Sequence, residues 1–372
     1  MSAIEAYSTT ARTWLGRAVP FWADQGRDRK GGGFFEQLDF AGRGRVDLNK
    51  RLRVQARQVY VMSHAHVVGL KNGTLRAAEA GFRFMTTHGW SADGGFVHLL
   101  SPDGRCVDGT RDTYDHAFVL LALAWYLRAT GDPEAREWIE RTLAFLNATL
   151  WDEVTGSFHE SKPDRLPRRQ NPHMHMLEAF LALFEATEDE RFLSRARSLV
   201  RLLERRFFVT RTGTLGEFFT ESWAPAEGGE GLLREPGHHF EWVWLLTEYE
   251  RLTGEPTGAW RGPLFAFAAG PGTEPATGLV YDGVNEDGTV HSASKRCWVQ
   301  TEALKASLVE NDEPRAAQIL KNLFARYLAT TVPGLWVDQL TENNAPGSTT
   351  VPASTLYHMF VALVAATQRE GK

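Results

Sequence analysis

A glycine followed by aromatic or β-branched residues and then a polar turn recurs six times along this chain, at intervals of about sixty residues. Each recurrence interrupts a long stretch with helical apolar spacing. The six segments are Gly33-Phe34-Phe35-Glu36, Gly95-Phe96-Val97-His98, Gly156-Ser157-Phe158-His159, Gly216-Glu217-Phe218-Phe219, Gly278-Leu279-Val280-Tyr281 and Gly334-Leu335-Trp336-Val337. Several run into Asp-Gly turns, as at Asp103-Gly104 and Asp287-Gly288, which suits a short hairpin. Between consecutive insertions there is room for a pair of helices. Six pairs imply an all-α, closed ring of twelve helices, with short connections on one rim and hairpin-bearing connections on the other.

Apolar spacing at three and four residues places the helices at 3–25, 50–70, 74–88, 113–130, 133–149, 172–186, 189–206, 236–252, 257–269, 293–310, 313–330 and 351–368. Asp132-Pro133, Asn171-Pro172 and Glu313-Pro314 put proline in a first turn, where its missing N–H costs nothing. The run Ala117 to Ala124 and the run Leu177 to Phe184 are apolar on more than one face and predict inner helices packed on both sides. Asp189 to Arg206 and Pro314 to Arg326 each carry one charged face, as outer helices do. That alternation is what a double-layered barrel requires.

No Pro/Gly/Ser-rich linker divides the 372 residues, so residues 1–372 read as a single toroidal domain. The hydrophobic fraction of 43% is enough for a large core. A formal charge of −5 speaks against nucleic acid or an anionic membrane as partner. No apolar run approaches the roughly twenty residues that cross a bilayer, and Met1 to Tyr7 lacks the basic and apolar regions of a secretion signal. With Cys106 and Cys297 alone, a disulfide scaffold is excluded and a cytoplasmic setting is the default.

The chain has no His-Glu-x-x-His, phosphate-binding glycine loop, dinucleotide fingerprint or Gly-x-Ser-x-Gly elbow. What remains is histidine, concentrated at helix starts after the long insertions. In Asn171-Pro172-His173-Met174-His175-Met176-Leu177-Glu178, a helix turns His173 and His175 about 200° apart, whereas Asn171, His175 and Glu178 share a face. They form either a site or a helix cap with packed histidines. In Glu235-Pro236-Gly237-His238-His239-Phe240-Glu241-Trp242, His238 and Glu241 face the same way, and a carboxylate one turn away can fix an imidazole tautomer; a capping role fits as well. His358 enters an otherwise apolar last helix, either packed or functional. Arg57 points into the ring or pairs with an acid outside it. Trp298 is core or a flat wall for a sugar. Tyr114-Asp115 opens an inner helix beside Asp112, where capping and site roles both fit Asp115.

Taken together, Arg57 in Ala-Arg-Gln, Tyr114-Asp115-x-Ala-Phe, Asn171-x-His-x-His175-x-x-Glu-Ala, Glu-Pro-Gly-His238-x-x-Glu241-Trp, Trp298-x-Gln-x-Glu and Tyr357-His358 resemble the N-acylglucosamine 2-epimerase superfamily, in family order from about residue 30 onward. The resemblance implies an (α/α)6 barrel without metal or other cofactor, active on a monosaccharide as monomer or homodimer. It implies His238 and His358 as the general acid/base pair, with Glu241 orienting His238. Arg57, Tyr114, Asn171, His175, Arg234 and Trp298 would bind substrate. Two histidines and an arginine suit proton transfer at C2 of an open-chain aldose, through an enediolate. Within the family, the ending Pro352-Ala353-Ser354-Thr355-Leu356-Tyr357-His358 resembles the mannose isomerase branch, because Ala353 stands where cellobiose epimerases carry tryptophan. Aldose–ketose isomerisation of D-mannose to D-fructose is the expectation. A sugar 2-epimerase is the first alternative. A glycoside hydrolase using two of Glu178, Glu241 and Asp115 is the second, and a non-catalytic interaction role is the third.

Overall fold

The computed structural model describes residues 3–368. They form two compact units: residues through 18, 203–351 and 358 onward make one, and residues 19–202 with 352–357 make the other. The helices are α1 (Ala3–Gln25), α2 (Leu52–Val67), α3 (Thr74–His88), α4 (Thr113–Thr130), α5 (Pro133–Thr149), α6 (Asn171–Thr187), α7 (Glu190–Leu202), the single turn α8 (Gly229–Leu232), α9 (Pro236–Thr253), α10 (Gly258–Ala269), α11 (Cys297–Val309), α12 (Glu313–Asn322) and α13 (Leu356–Thr367). Among the described residues, no helix is long and apolar enough to cross a membrane.

In the 19–202 unit α2, α4 and α6 pack side by side, and each is backed by the helix that follows it, α3, α5 and α7. In the other unit α9 packs on α11, with α10 behind the first and α12 behind the second. The inner members are buried all round: every residue from Ala117 to Ala124 lies within 2% of complete burial. The outer members bury one stripe. In α5 this is Ala135, Trp138, Ile139, Thr142, Phe145 and Leu146, at the three-and-four spacing of an amphipathic helix.

The hairpins are tied to the inner helices by one repeated device. The Phe34 amide donates to Oε1 of Gln55 at 2.7 Å, and Gln55 Nε2 donates back to the Phe34 carbonyl at 3.0 Å. Gln300 holds Val280 in the same two-bond manner, at 2.9 and 2.8 Å. Histidine takes this position in three other repeats. The amides of Phe96, Phe158 and Leu215 donate to Nε2 of His116, His173 and His239, each at 3.0 Å. Each imidazole donates from Nδ1 to the carbonyl one helical turn earlier, on Asp112, Arg169 and Glu235. Both ring nitrogens are thereby satisfied in the neutral tautomer, and burial pushes all three imidazoles down to about 4.

The hairpin glycines serve the same contact. Gly33 has φ of 65°, and a Cβ there would lie 2.5 Å from Gln55 Oε1. Two residues before each pinned amide stands a glycine of positive φ, Gly32, Gly94, Gly156, Gly213 and Gly278, so the glycine of the fourth repeat is Gly213, with φ of 67°, and not the expected Gly216, whose φ is not positive.

Five helices begin or end differently from the expectation. The stretches 50–70, 293–310 and 351–368 open with extended pairs, Lys50–Arg51, Lys295–Arg296 and Val351–Pro352, before α2, α11 and α13. Stretches 189–206 and 313–330 end in wide π turns, Leu203–Phe207 and Leu323–Tyr327.

Candidate active site

Two residues beyond the pinned amide, the strand alternation returns a side chain to the same side. The positions are Glu36, His98, Glu160, Glu217 and Asp282, and Asp338 stands at the equivalent place of the sixth sequence repeat. Five of them are met by a residue at the start of an inner helix: Arg51 meets Glu36, Asp115 meets His98, Arg169 meets Glu160, His238 meets Glu217 and Arg296 meets Asp282. The hairpins therefore supply the polar partners of the helix N-termini.

In the unit containing residues 203–351, His238 (α9), Trp298 (α11) and His358 (α13) come together. Each imidazole centroid lies 5.3 Å from the indole centroid, so the two imidazoles are separated by at most twice that distance. Gly237 permits the approach, because a Cβ on it would lie 2.7 Å from the Trp298 ring. Nδ1 of His238 is 2.9 Å from Glu217 Oε2, and Nδ1 of His358 is 2.7 Å from Glu302 Oε1. The expected orienting group for His238, Glu241, is thus replaced by Glu217 from the fourth hairpin. Glu241 is 1% exposed and lies instead with Glu302 and His358, their nearest ligand atoms all within 4.8 Å of one another. Burial disfavours the His238 cation, but the charges of Glu217 and Glu235 outweigh it, so its imidazole is pushed up to about 9.

The clusters Glu241/Glu302/His358 and Glu217/Glu235/His238 have the spacing of a cation site. Their donors already face protein cations, since Lys305 Nζ lies 2.6 Å from Glu302 and Arg296 lies 3.0 Å from Glu235. The chemistry of both sets is that of carboxylate–imidazole pairs. Arg234 is spent on structure: it donates to Thr214 Oγ1 at 3.0 Å and to the carbonyls of Gly231 and Leu233, and it pairs with Glu286 at 3.0 Å.

The 19–202 unit holds a second cluster. Nη2 of Arg57 donates to the Tyr114 hydroxyl at 2.8 Å, and its guanidinium lies 4.1 Å from the Phe118 ring centroid. Of the two directions open to Arg57, the structure therefore takes the one without an acid partner. The Tyr114 ring is 5.1 Å from His175. His175 Nδ1 is 3.0 Å from Glu178 Oε2, whose other oxygen accepts the Tyr357 hydroxyl at 2.5 Å. Asn171 is the first residue of α6 and Gln170 is the N-cap, so the capping reading of Asn171 does not hold. At α4 the cap is Asp112, which accepts from the Tyr114 amide at 2.8 Å. Asp115 is buried between His98 (2.6 Å) and Arg53 (3.0 Å), which hold its carboxyl below the usual range against the opposing effect of burial.

The sequence reading missed Glu217, Glu302, Lys305 and the His98–Asp115 pair. For Glu217, Glu302 and His98 the signal was present in the repeat. The pinned position plus two gives Arg57, Phe118, His175, Glu241 and Glu302, and continuing the period about sixty residues further reaches His358.

Residues 33–362 match the family model described as N-acylglucosamine 2-epimerase (GlcNAc 2-epimerase). A protein of Rhizobium meliloti (strain 1021) named mannose-6-phosphate isomerase is 34% identical over 94% of this chain and 94% of its own. A crystal structure of D-mannose isomerase is 26% identical, with a TM-score of 0.87 over 96% of this chain and 97% of that one. The cellobiose 2-epimerase of Spirochaeta thermophila DSM 6192 is 25% identical, with a TM-score of 0.86 over 98% and 97%. The fold class is accordingly the (α/α)6 barrel.

Proposed function

Because this chain belongs to the N-acylglucosamine 2-epimerase family and is an enzyme of the isomerase/epimerase kind, we propose that it interconverts a free aldose and its ketose, D-mannose and D-fructose first. Residues 1–372 act here as one catalytic domain, and a cytoplasmic monomer or homodimer fits its two free cysteines. The observation that carries the reading is the pair of imidazoles that both lie against Trp298, each with Nδ1 committed to a carboxylate. With Nδ1 so held, Nε2 is the nitrogen that gives or takes the proton.

One imidazole removes the proton from C2 of the open-chain aldose while the other protonates O1, giving an enediol. Loss of the proton on O2 and delivery to C1 of a proton from the first imidazole, which exchanges with solvent in between, give the ketose, with no change in composition. His238, held protonated by Glu217, is the acid, and His358 is the base. Arg57, Tyr114, His175 and Asn171 bind hydroxyls and the developing oxyanion, Trp298 is the apolar wall, and Glu241 supports the His358 side. Arg234 shapes the start of α9 through its bonds to Glu286 and Thr214.

A neutral sugar suits the charges better than a sugar phosphate. The arginines at the inner-helix starts are matched by acids: Arg51 with Glu36, Arg53 with Asp115, Arg169 with Glu160 and Arg296 with Glu235. A phosphate dianion would have to compete with those carboxylates. Hydrolysis is disfavoured by the same pairing, since Asp115 and Glu178 are committed to His98, Arg53, His175 and Tyr357.

The test is incubation with mannose, mannose 6-phosphate, glucose, lyxose and N-acetylmannosamine in deuterated water, followed by NMR. Fructose labelled at C1, formed from mannose, is expected. An aldose inverted and labelled at C2 would make the enzyme a 2-epimerase. Cleavage of aryl glycosides with no aldose conversion would sink the proposal.

A further inference from the structure

The second and fourth repeats place an imidazole–carboxylate pair at the same two positions and exchange its members. In the fourth, the hairpin residue two after the pinned amide is Glu217, and the helix residue just before the pin is His238. In the second, those positions hold His98 and Asp115, 2.6 Å apart. Attachment of the hairpin does not account for this pair. His116 already pins Phe96, and the backbone of His98 is bonded in its own right, its amide to the Asp108 carbonyl at 3.1 Å and its carbonyl to the Leu52 amide at 3.0 Å. The imidazole is left for another task.

Asp115 is 0% exposed and has both oxygens engaged, one by Nδ1 of His98 and the other by Arg53. The His98 side chain, so anchored, is still 21% exposed, and among the described residues its Nε2 meets no hydrogen-bond partner. Through Arg53 the pair adjoins the Arg57 cluster. The Arg53 guanidinium lies 5.6 Å from the Tyr114 ring centroid, and that of Arg57 lies 5.8 Å from the same ring.

We propose that His98 is a further substrate-binding residue, whose Nε2 hydrogen-bonds a hydroxyl of the sugar beside Arg57 and Tyr114, with Asp115 and Arg53 as the groups that position it. This rests on the isomerase/epimerase reading, which makes the Arg57 cluster a sugar site. The imidazole itself suits a polyol. A hydroxyl donates to Nε2 of the neutral ring and accepts from the imidazolium, so the contact survives in both states.

Two replacements separate this role from a structural one. His98→Asn keeps a nitrogen where Nδ1 meets Asp115 and removes Nε2, whereas His98→Gln does the reverse. The Asn variant should raise KM for D-mannose about tenfold, as the loss of one hydrogen bond requires, and melt near the wild-type temperature. The Gln variant should hold KM closer to the wild-type value and melt lower. An Asn variant with the wild-type KM overturns the proposal.

Because either change can disturb a buried carboxylate, the second measurement uses the wild-type protein. In crystals grown with D-mannose, a sugar oxygen should lie within about 3.2 Å of His98 Nε2. A bound sugar that leaves Nε2 with no oxygen in reach overturns the proposal whatever the variants do. If no aldose is converted yet the sugar is seated on His98, the isomerase reading fails and this site stands.

Discussion

Glu217 is the residue on which the acid role proposed for His238 depends. Its carboxylate is 2.9 Å from Nδ1 and 3% exposed, and with Glu235 it lifts the imidazole to about 9 against the effect of burial. Activity that needs His238 protonated is present below that value and is lost as pH rises through it. Replacing Glu217 with Gln removes the charge and keeps the shape, so the alkaline limb should move down by about one to two pH units, which pH profiles of the two proteins would reveal. An unchanged limb would separate Glu217 from the titrating acid. Arg57 is tested differently. Its guanidinium bridges the Tyr114 hydroxyl and the Phe118 face, a geometry that lysine cannot reproduce. Arg57→Lys should lower kcat/KM by roughly a hundredfold while leaving the melting temperature nearly constant.

At the scale of elements, the hairpins stand or fall with their pins. His116→Ala leaves the Phe96 amide buried without its acceptor and opens a cavity, costing about 2–4 kcal/mol. Gln55 and Gln300 fill the same position in their own repeats, so His116→Gln should restore at least half of the loss in a urea titration. If Gln is no better than Ala, the repeat equivalence is wrong.

The same repeat shows why some helix ends were legible and others were not. The bounds of α1, α3, α4 and α5 agree with the apolar spacing, because their caps, Gly131 and Asp132 among them, are local. The ends of α7 and α12 were missed because each closes in a π turn that admits an extra residue and buries Phe207 and Tyr327 completely. No local signal marks that turn. It forms because Phe207 and Tyr327 gain buried contacts beyond the helix, the latter also donating to the Lys295 carbonyl at 3.1 Å.

For the whole molecule the histidines set opposing limits on stability. His116, His173 and His239 are held near 4, and His64 near 3, by burial. All four lie below the unfolded value of about 6.5. The unfolded chain therefore binds more protons between those values, and the stability these groups contribute is complete above about 6.5 and lost as pH falls toward 4. His238 has the opposite sign: its contribution is complete below about 6.5 and lost as pH rises through about 9. The melting temperature should fall steeply from pH 6.5 to 4.5. A flat profile there would mean that the pins are not neutral, buried imidazoles.

The sequence by itself determined the six-fold period, the inner and outer helices and the residue types at the site, because each is a local matter of spacing between neighbours along the chain. It also carried His238, His358 and Arg57 as candidates, since those depend on residue type and motif order. Only the tertiary structure decided which carboxylate holds which imidazole. Glu217 and His238 are 21 residues apart, Glu302 and His358 are 56 apart, and no periodicity along one helix reports a hydrogen bond made between two. Whether a histidine is a pin or an acid follows from what packing brings to its second nitrogen, which is a property of the folded chain.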